Sequence, residues 1–154
     1  MWTVEVKMPE AGVILDKLGL SNGGAAQRFF TNELMRLSDP YVPMRNSILK
    51  NSAKVTDEGD AIDYDTKYAR YLWYGKVMVD PKTGKACMVF TDKKTGNVVF
   101  YSRPNVKKVV SNRDIQYHGG GLRGSRWVER CWIDNKDKLC KSLEDFINNG
   151  GVAK

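Results

Sequence analysis

Several groups of side chains in this 154-residue chain have types and spacings that can do chemistry. His118 is the only histidine and Asp114 lies four residues before it, so an imidazole base oriented by a carboxylate is the first arrangement to weigh. No nucleophile motif precedes either residue, and a lone histidine followed by Gly119-Gly120-Gly121 reads as a solvated loop residue. The same glycines lead through Leu122-Arg123-Gly124 to Ser125 at a helix start, where backbone N–H groups and the helix dipole favour a phosphate. The Gly-Lys-Ser/Thr ending of a phosphate-binding loop is missing and no clear strand comes before it. A flexible loop leading to a Ser125-capped helix is therefore the better reading. Asp57, Glu58, Asp60, Asp63 and Asp65 offer carboxylates for a cation, but the glycine and the closing acid are misplaced for an EF-hand loop, and the stretch reads as an exposed hairpin tip. Cys87, Cys131 and Cys140 are odd in number, far apart and short of imidazole partners, which argues against zinc and for packed, reduced thiols. The expectation is no catalytic residue, no metal and no cofactor.

What remains is recognition chemistry. Arg70 stands beside Tyr68, Tyr71 and Tyr74, and Arg130 beside Trp127 and Trp132. Guanidinium groups stack on rings and fork onto carboxylates, a combination enriched at protein interfaces. Packing at the edge of the subunit's own core is the equal alternative for both arginines. The aromatic segments themselves read as core in preference to exposed anchors.

These residues need elements to position them. Trp2 to Lys7 alternates apolar and polar residues as a half-buried strand does, and Met8-Pro9-Glu10 closes it. A short helical stretch from Val13 to Leu18 follows. Ser21-Asn22 offers an N-cap for a helix in which Ala26, Phe29, Phe30, Leu34 and Leu37 form a core stripe, and Ser38-Asp39-Pro40 stops it. Lys54 to Asp65 reads as a β-hairpin around Asp57-Glu58-Gly59-Asp60. Lys76–Asp80, Lys85–Thr91 and Asn97–Ser102 are strand-like, separated by the turns Pro81-Lys82-Thr83-Gly84 and Lys93-Lys94-Thr95-Gly96. Arg103 to Tyr117 has no readable period. The last helix carries Trp127, Val128, Cys131, Leu139, Leu143, Phe146 and Ile147 on one stripe and ends at Asn149-Gly150-Gly151. The fold class is α+β: a mostly antiparallel sheet with two main helices packed on it and a β-hairpin arm, in a single domain spanning residues 1–154.

Composition narrows function without naming it. Twenty-five basic against eighteen acidic residues give a formal charge of +7, which suits a polyanion or an acidic protein surface. The Lys and Arg residues look scattered, with Lys107-Lys108 and Arg123, Arg126, Arg130 the nearest things to patches, so protein-facing or solvated charge is favoured over direct nucleic-acid recognition. No apolar run has bilayer length and the first residues lack a signal-peptide layout, so the expectation is a soluble protein made in the cytoplasm, with no membrane contact.

Three segments carry more. Tyr41-Val42-Pro43-Met44-Arg45-Asn46-Ser47-Ile48-Leu49-Lys50-Asn51-Ser52 reads as a rigid turn and a new helix start, because Pro40 and Pro43 fix φ and push the residues before them out of the helical region. Lys67-Tyr68-Ala69-Arg70-Tyr71-Leu72-Trp73-Tyr74-Gly75 is a dense aromatic surface, and Gly124-Ser125-Arg126-Trp127-Val128-Glu129-Arg130 opens the last helix. In order and approximate spacing these resemble the minor capsid proteins of long-tailed bacteriophages, specifically the tail-completion or neck class. That class typically reads Tyr-Val-Pro, Thr-Gly, Leu-Lys-Asn-Ser, then Pro-Tyr-Ala-Arg with an aromatic Tyr-Gly, then Trp-x-x-Arg. The resemblance covers roughly Gly19 to Tyr74 and Arg123 to Ile147. Asn46-Ser47 stands where the class has Thr-Gly, and Lys67 where it has Pro. The residues that carry the motif and form the candidate interface are Tyr41, Pro43, Leu49, Ser52, Tyr68, Ala69, Arg70, Tyr74, Gly75, Trp127 and Arg130.

The resemblance implies a structural virion protein without catalysis, made in the bacterial host cytoplasm and located at the head–tail junction. It implies a homo-oligomeric ring with a portal-adaptor or head-closure protein above, a tail terminator or tail tube protein below, and genome DNA passing through without sequence recognition. A tail terminator or head-closure ring is the alternative within the virion; a cytoplasmic nucleic-acid-binding module and a small enzyme around His118 are the alternatives outside it. The stretch Lys76–Ser102 matches the class least and is expected to be an inserted arm that makes inter-subunit or inter-ring contact.

Overall fold

The computed structural model describes residues 2–5 and 23–150. The expected helix at Val13–Leu18, the end of the first strand beyond Glu5 and the Ser21-Asn22 cap lie outside the described residues. Eleven elements follow in order: β1 (Trp2–Glu5), α1 (Ala25–Ser38), α2 (Ile48–Asn51), β2 (Ala53–Val55), β3 (Ala61–Tyr64), α3 (Ala69–Tyr74), β4 (Lys76–Val79), β5 (Met88–Thr91), β6 (Val98–Tyr101), β7 (Val109–Asp114) and α4 (Trp127–Asn148). A 3₁₀ turn at Asp39–Tyr41, with Pro40 inside it, ends α1 where the proline predicts an end.

The body is α1 and α4 packed on each other and on an antiparallel sheet of order β1-β3-β2. Helical spacing puts Ala26, Phe30 and Leu34 on the buried face of α1, and Trp127, Val128, Cys131, Leu139, Leu143 and Phe146 on that of α4, as the stripes predict. Phe29 stacks on Phe146 at 4.2 Å between ring centroids, and Phe30 meets Trp132 edge-on at 5.6 Å. Each side chain of this size contributes about 1.5–3 kcal/mol when fully buried. At the sheet end of the core Trp2, Tyr64, Trp73 and Trp127 form a cluster with neighbouring centroids 4.9–6.0 Å apart. Burial pushes the Tyr64 phenol and the Cys131 thiol above their ordinary values, so both stay protonated and inert.

The β2–β3 hairpin is built as expected, with Gly59 taking the positive φ of its turn. That turn is pinned to α1, because the buried Thr31 hydroxyl donates to the Gly59 carbonyl at 2.7 Å. The other four strands join no part of the central sheet: β4 pairs with β7 and β5 with β6, both antiparallel. The arm therefore exists, but its limits differ from the expected 76–102. It runs from Lys76 to Asp114, because the unreadable stretch after Arg103 supplies β7, the partner of β4.

The arm joins the body at one narrow root. The Ile115 N–H donates to the Gly75 carbonyl at 2.9 Å, and the Tyr117 hydroxyl to the Leu72 carbonyl at 2.5 Å. Gly75 ends α3 in the left-handed region (φ 75°), and a Cβ there would sit 3.1 Å from the Tyr117 hydroxyl oxygen. Gly75→Ala is expected to cost about 1–2 kcal/mol from the left-handed backbone, read as a lower urea midpoint with an unchanged slope.

Candidate functional site

The eleven motif residues divide by burial. Tyr41, Pro43, Leu49, Ala69, Gly75 and Trp127 are buried, and Ser52 is half-buried with its hydroxyl donating to the Leu49 carbonyl at 2.8 Å. Their place is inside the fold. Arg130 is also held there. Its Nε donates to the Ser125 carbonyl at 2.8 Å, and its guanidinium lies 5.7 Å from the centre of the Tyr41 ring. Gly124 permits this approach, since a Cβ would lie 3.0 Å from Arg130 Nη2. The Tyr41 hydroxyl donates to Asp134 Oδ2 at 2.8 Å and accepts from Asn135 Nδ2 at 3.2 Å. Burial, with that carboxylate, raises the Tyr41 phenol above its ordinary value.

Tyr68, Arg70 and Tyr74 face outward, as does Tyr71 beside them. Arg70 makes no hydrogen bond or salt bridge among the described residues. Tyr68 borders a groove of about 420 Å³ that Met44, Ile48, Leu72 and Tyr117 also line, the size of an ordinary small-ligand pocket. One short helix thus sends Ala69 and Trp73 into the core and its tyrosines to the surface, a split that the 3.6-residue period produces and residue type alone conceals.

The chemistry candidates are not brought together. Asp114 pairs with Lys76 Nζ at 2.5 Å across β4 and β7, leaving His118 without the carboxylate that would orient it. The glycine-rich stretch is tied down where a free loop was expected. Met44 N–H donates to the His118 carbonyl at 3.2 Å, Gly124 N–H to the Tyr41 carbonyl at 3.2 Å, and the Arg123 guanidinium to the Val42 carbonyl. Nor does Ser125 cap α4: Arg126 holds that position at φ 45° and pairs with Glu129 at 3.0 Å. A carboxylate in the first turn repels the anion that this terminus would otherwise attract. Among the described residues no cluster of His, Cys, Asp or Glu could hold a metal ion, and no helix is long and apolar enough to cross a membrane.

The most unusual surface is the arm. Val89, Phe90, Val98, Val99, Phe100 and Tyr101 on β5 and β6 are all exposed, Phe100 at 65%, on both faces of a two-stranded ribbon. Val109 and Val110 on β7 add to them. A contiguous apolar surface of this kind marks an interaction site, and a lone two-stranded ribbon has little stability of its own in water. Its turns are nevertheless well made. Asp80 and Asp92 each open an Asp-x-Lys-Thr-Gly turn, with Oδ1 accepting the N–H two residues on at 2.8 and 2.9 Å. Arg103 forks onto Asp80 at 2.5 and 2.6 Å and holds that carboxyl well below the usual range.

Charge concentrates in the same place. Residues 76–114 carry nine Lys and Arg against three Asp, while the remaining 115 residues carry sixteen basic against fifteen acidic, so six of the seven net positive charges belong to the arm. The apparent scatter of basic residues was an effect of reading the chain without the arm's limits. A charge count over a sliding window of the arm's length would have shown the excess but not its limits, since residues 93–131, which run into α4, are at least as positive.

The sequence model of a family described as minor capsid protein matches residues 4–116. That span contains β2, β3 and the last two residues of β1, together with α1 and the whole arm, so the arm lies within the matched region, whereas α4 with Trp127 and Arg130 lies beyond it. No curated protein and no solved structure matches the chain. The chain belongs to the minor capsid protein family and is a structural protein of a phage virion.

Proposed function

We propose that this minor capsid protein is a subunit of the phage neck, where it forms a ring between the portal-adaptor or head-closure protein on the head side and the tail terminator or tube on the other. The observation that supports the reading is the arm, whose apolar strands are left uncovered by the subunit that makes them. A subunit of a ring needs a heterologous contact that closes by rotation, and an arm reaching from one copy to the next provides one. Genome DNA passes through such a ring without sequence recognition. A tail terminator or head-closure ring would use the same device one level away.

The test is light scattering on the pure protein, alone and with portal-adaptor or tail proteins. The expected result is a discrete oligomer in at least one condition, and a strict monomer in all of them would overturn the proposal. Electron microscopy of the particle would distinguish the neighbouring rings. The arm's positive charge favours one second reading, direct binding to nucleic acid. That binding would weaken steeply as salt rises, whereas an interface with a large apolar share would not.

A further inference from the structure

We infer that the arm docks on the acidic β2–β3 turn of a second copy of this chain. The inference rests on the ring reading and names the surface that receives the arm. Residues 54–65 hold five carboxylates, Asp57, Glu58, Asp60, Asp63 and Asp65, against one lysine, Lys54, which makes this the natural counterpart of the arm. Asp57, Glu58 and Asp60 are exposed at the tip, and none of the five forms a salt bridge among the described residues. The turn is a firm platform, since Gly59 is fixed to Thr31 of α1. Beside it, β2 ends the sheet: no described strand pairs with its outer edge.

The arm is complementary on each count. Lys93 and Lys94 stand exposed at the β5–β6 turn, the ribbon has open edges of its own, and its valines and phenylalanines gain most from being covered by protein. Stacked bases would use the aromatic rings but would leave Val89, Val98 and Val99 uncovered. Apolar burial holds the contact, and the opposite charges choose the partner and its orientation. Arm and turn are different patches of one subunit, so the contact repeats from copy to copy.

Charge exchange tests this on the full-length protein. One variant carries Lys93→Glu and Lys94→Glu, and another Asp57→Lys and Glu58→Lys. All four side chains are exposed, so both should melt like the parent. Each variant alone is expected to self-associate more weakly by on the order of tenfold or more, because like charges then face each other. An equimolar mixture of the two, or all four changes in one chain, restores opposite signs at every contact and should recover association. If the wild type assembles and the reversals have no effect, or if the mixture stays dissociated, the docking surface is wrong while the ring reading stands. A wild type that never assembles overturns both. Binding of a duplex DNA fragment that the arm reversal abolishes, with self-association untouched by the turn reversal, would assign the arm to nucleic acid and overturn the inference.

Discussion

Replacing Trp127 by alanine is expected to destabilise the subunit by about 3–5 kcal/mol, the range for truncating a buried large aromatic. Trp127 is fully buried and meets Trp2, Tyr64 and Trp73, with centroids 6.0, 5.4 and 4.9 Å away. Those three rings come from β1, β3 and α3, so one indole at the start of α4 joins the sheet to two helices. Little can collapse into the space it leaves, because its neighbours are themselves large rings held from different elements. The neighbouring backbone depends on the same packing: Arg126 N–H donates to the Trp73 carbonyl at 3.2 Å from a left-handed position. For a chain of this length the loss corresponds to a fall in melting temperature on the order of 10 °C. Ile133→Ala on the same helix is the control, since Ile133 is 72% exposed and its loss should stay within about 0.5 kcal/mol of the parent. If Trp127→Ala melts with the parent, the aromatic cluster does not hold the body together.

Removal of the arm should have the opposite profile: a folded subunit that no longer assembles. The cut can be made cleanly because Gly75 and Ile115 already face each other across a 2.9 Å hydrogen bond, so a short Gly-Ser link can replace residues 76–114. Neither strand pair of the arm contributes to the β1-β3-β2 sheet, and of the apolar residues lost from β5 and β6 all but the half-buried Met88 are exposed. Melting close to the parent, together with complete loss of the oligomer in light scattering, is the expected outcome. Hydrogen exchange on the unassembled full-length protein supplies an independent check. Protection should be weak along β5 and β6 and stronger along β4, whose side chains are half-buried or buried. Strong protection throughout Val77–Tyr101 would place these strands in the core and the contact elsewhere.

Those parts of the fold that bury one face were legible in the sequence. The stripes through Phe30 and Leu34 and through Cys131, Leu139 and Leu143 repeat because each helix has one apolar side, and β2–β3 announces itself by strands flanking an acidic glycine turn. β7 was not legible for the converse reason. Val109, Val110, Asn112, Arg113 and Asp114 are exposed, so nothing imposes a period of two, and its partner β4 lies some thirty residues away. The candidate surface was half legible. Sequence order identifies the tyrosines of α3, but which of them the helix turns outward depends on where Trp73 must go. Arg130 was open between core edge and interface until Tyr41 and Gly124 were seen to enclose it.

The aromatic cluster also dictates an order of events on the ribosome. Trp2, Tyr64 and Trp73 are synthesised early, yet the indole that fills the space between them follows fifty-four residues after the last of them, behind the whole arm. At ordinary synthesis rates the nascent body waits roughly 3–10 seconds for it. During that interval the valine-rich strands of the arm emerge one after another, with neither a finished body behind them nor a neighbour to cover them. The lysines in the arm's turns, Lys82, Lys85, Lys93 and Lys94, put the same charge on every copy of the arm, which disfavours pairing between arms on adjacent nascent chains.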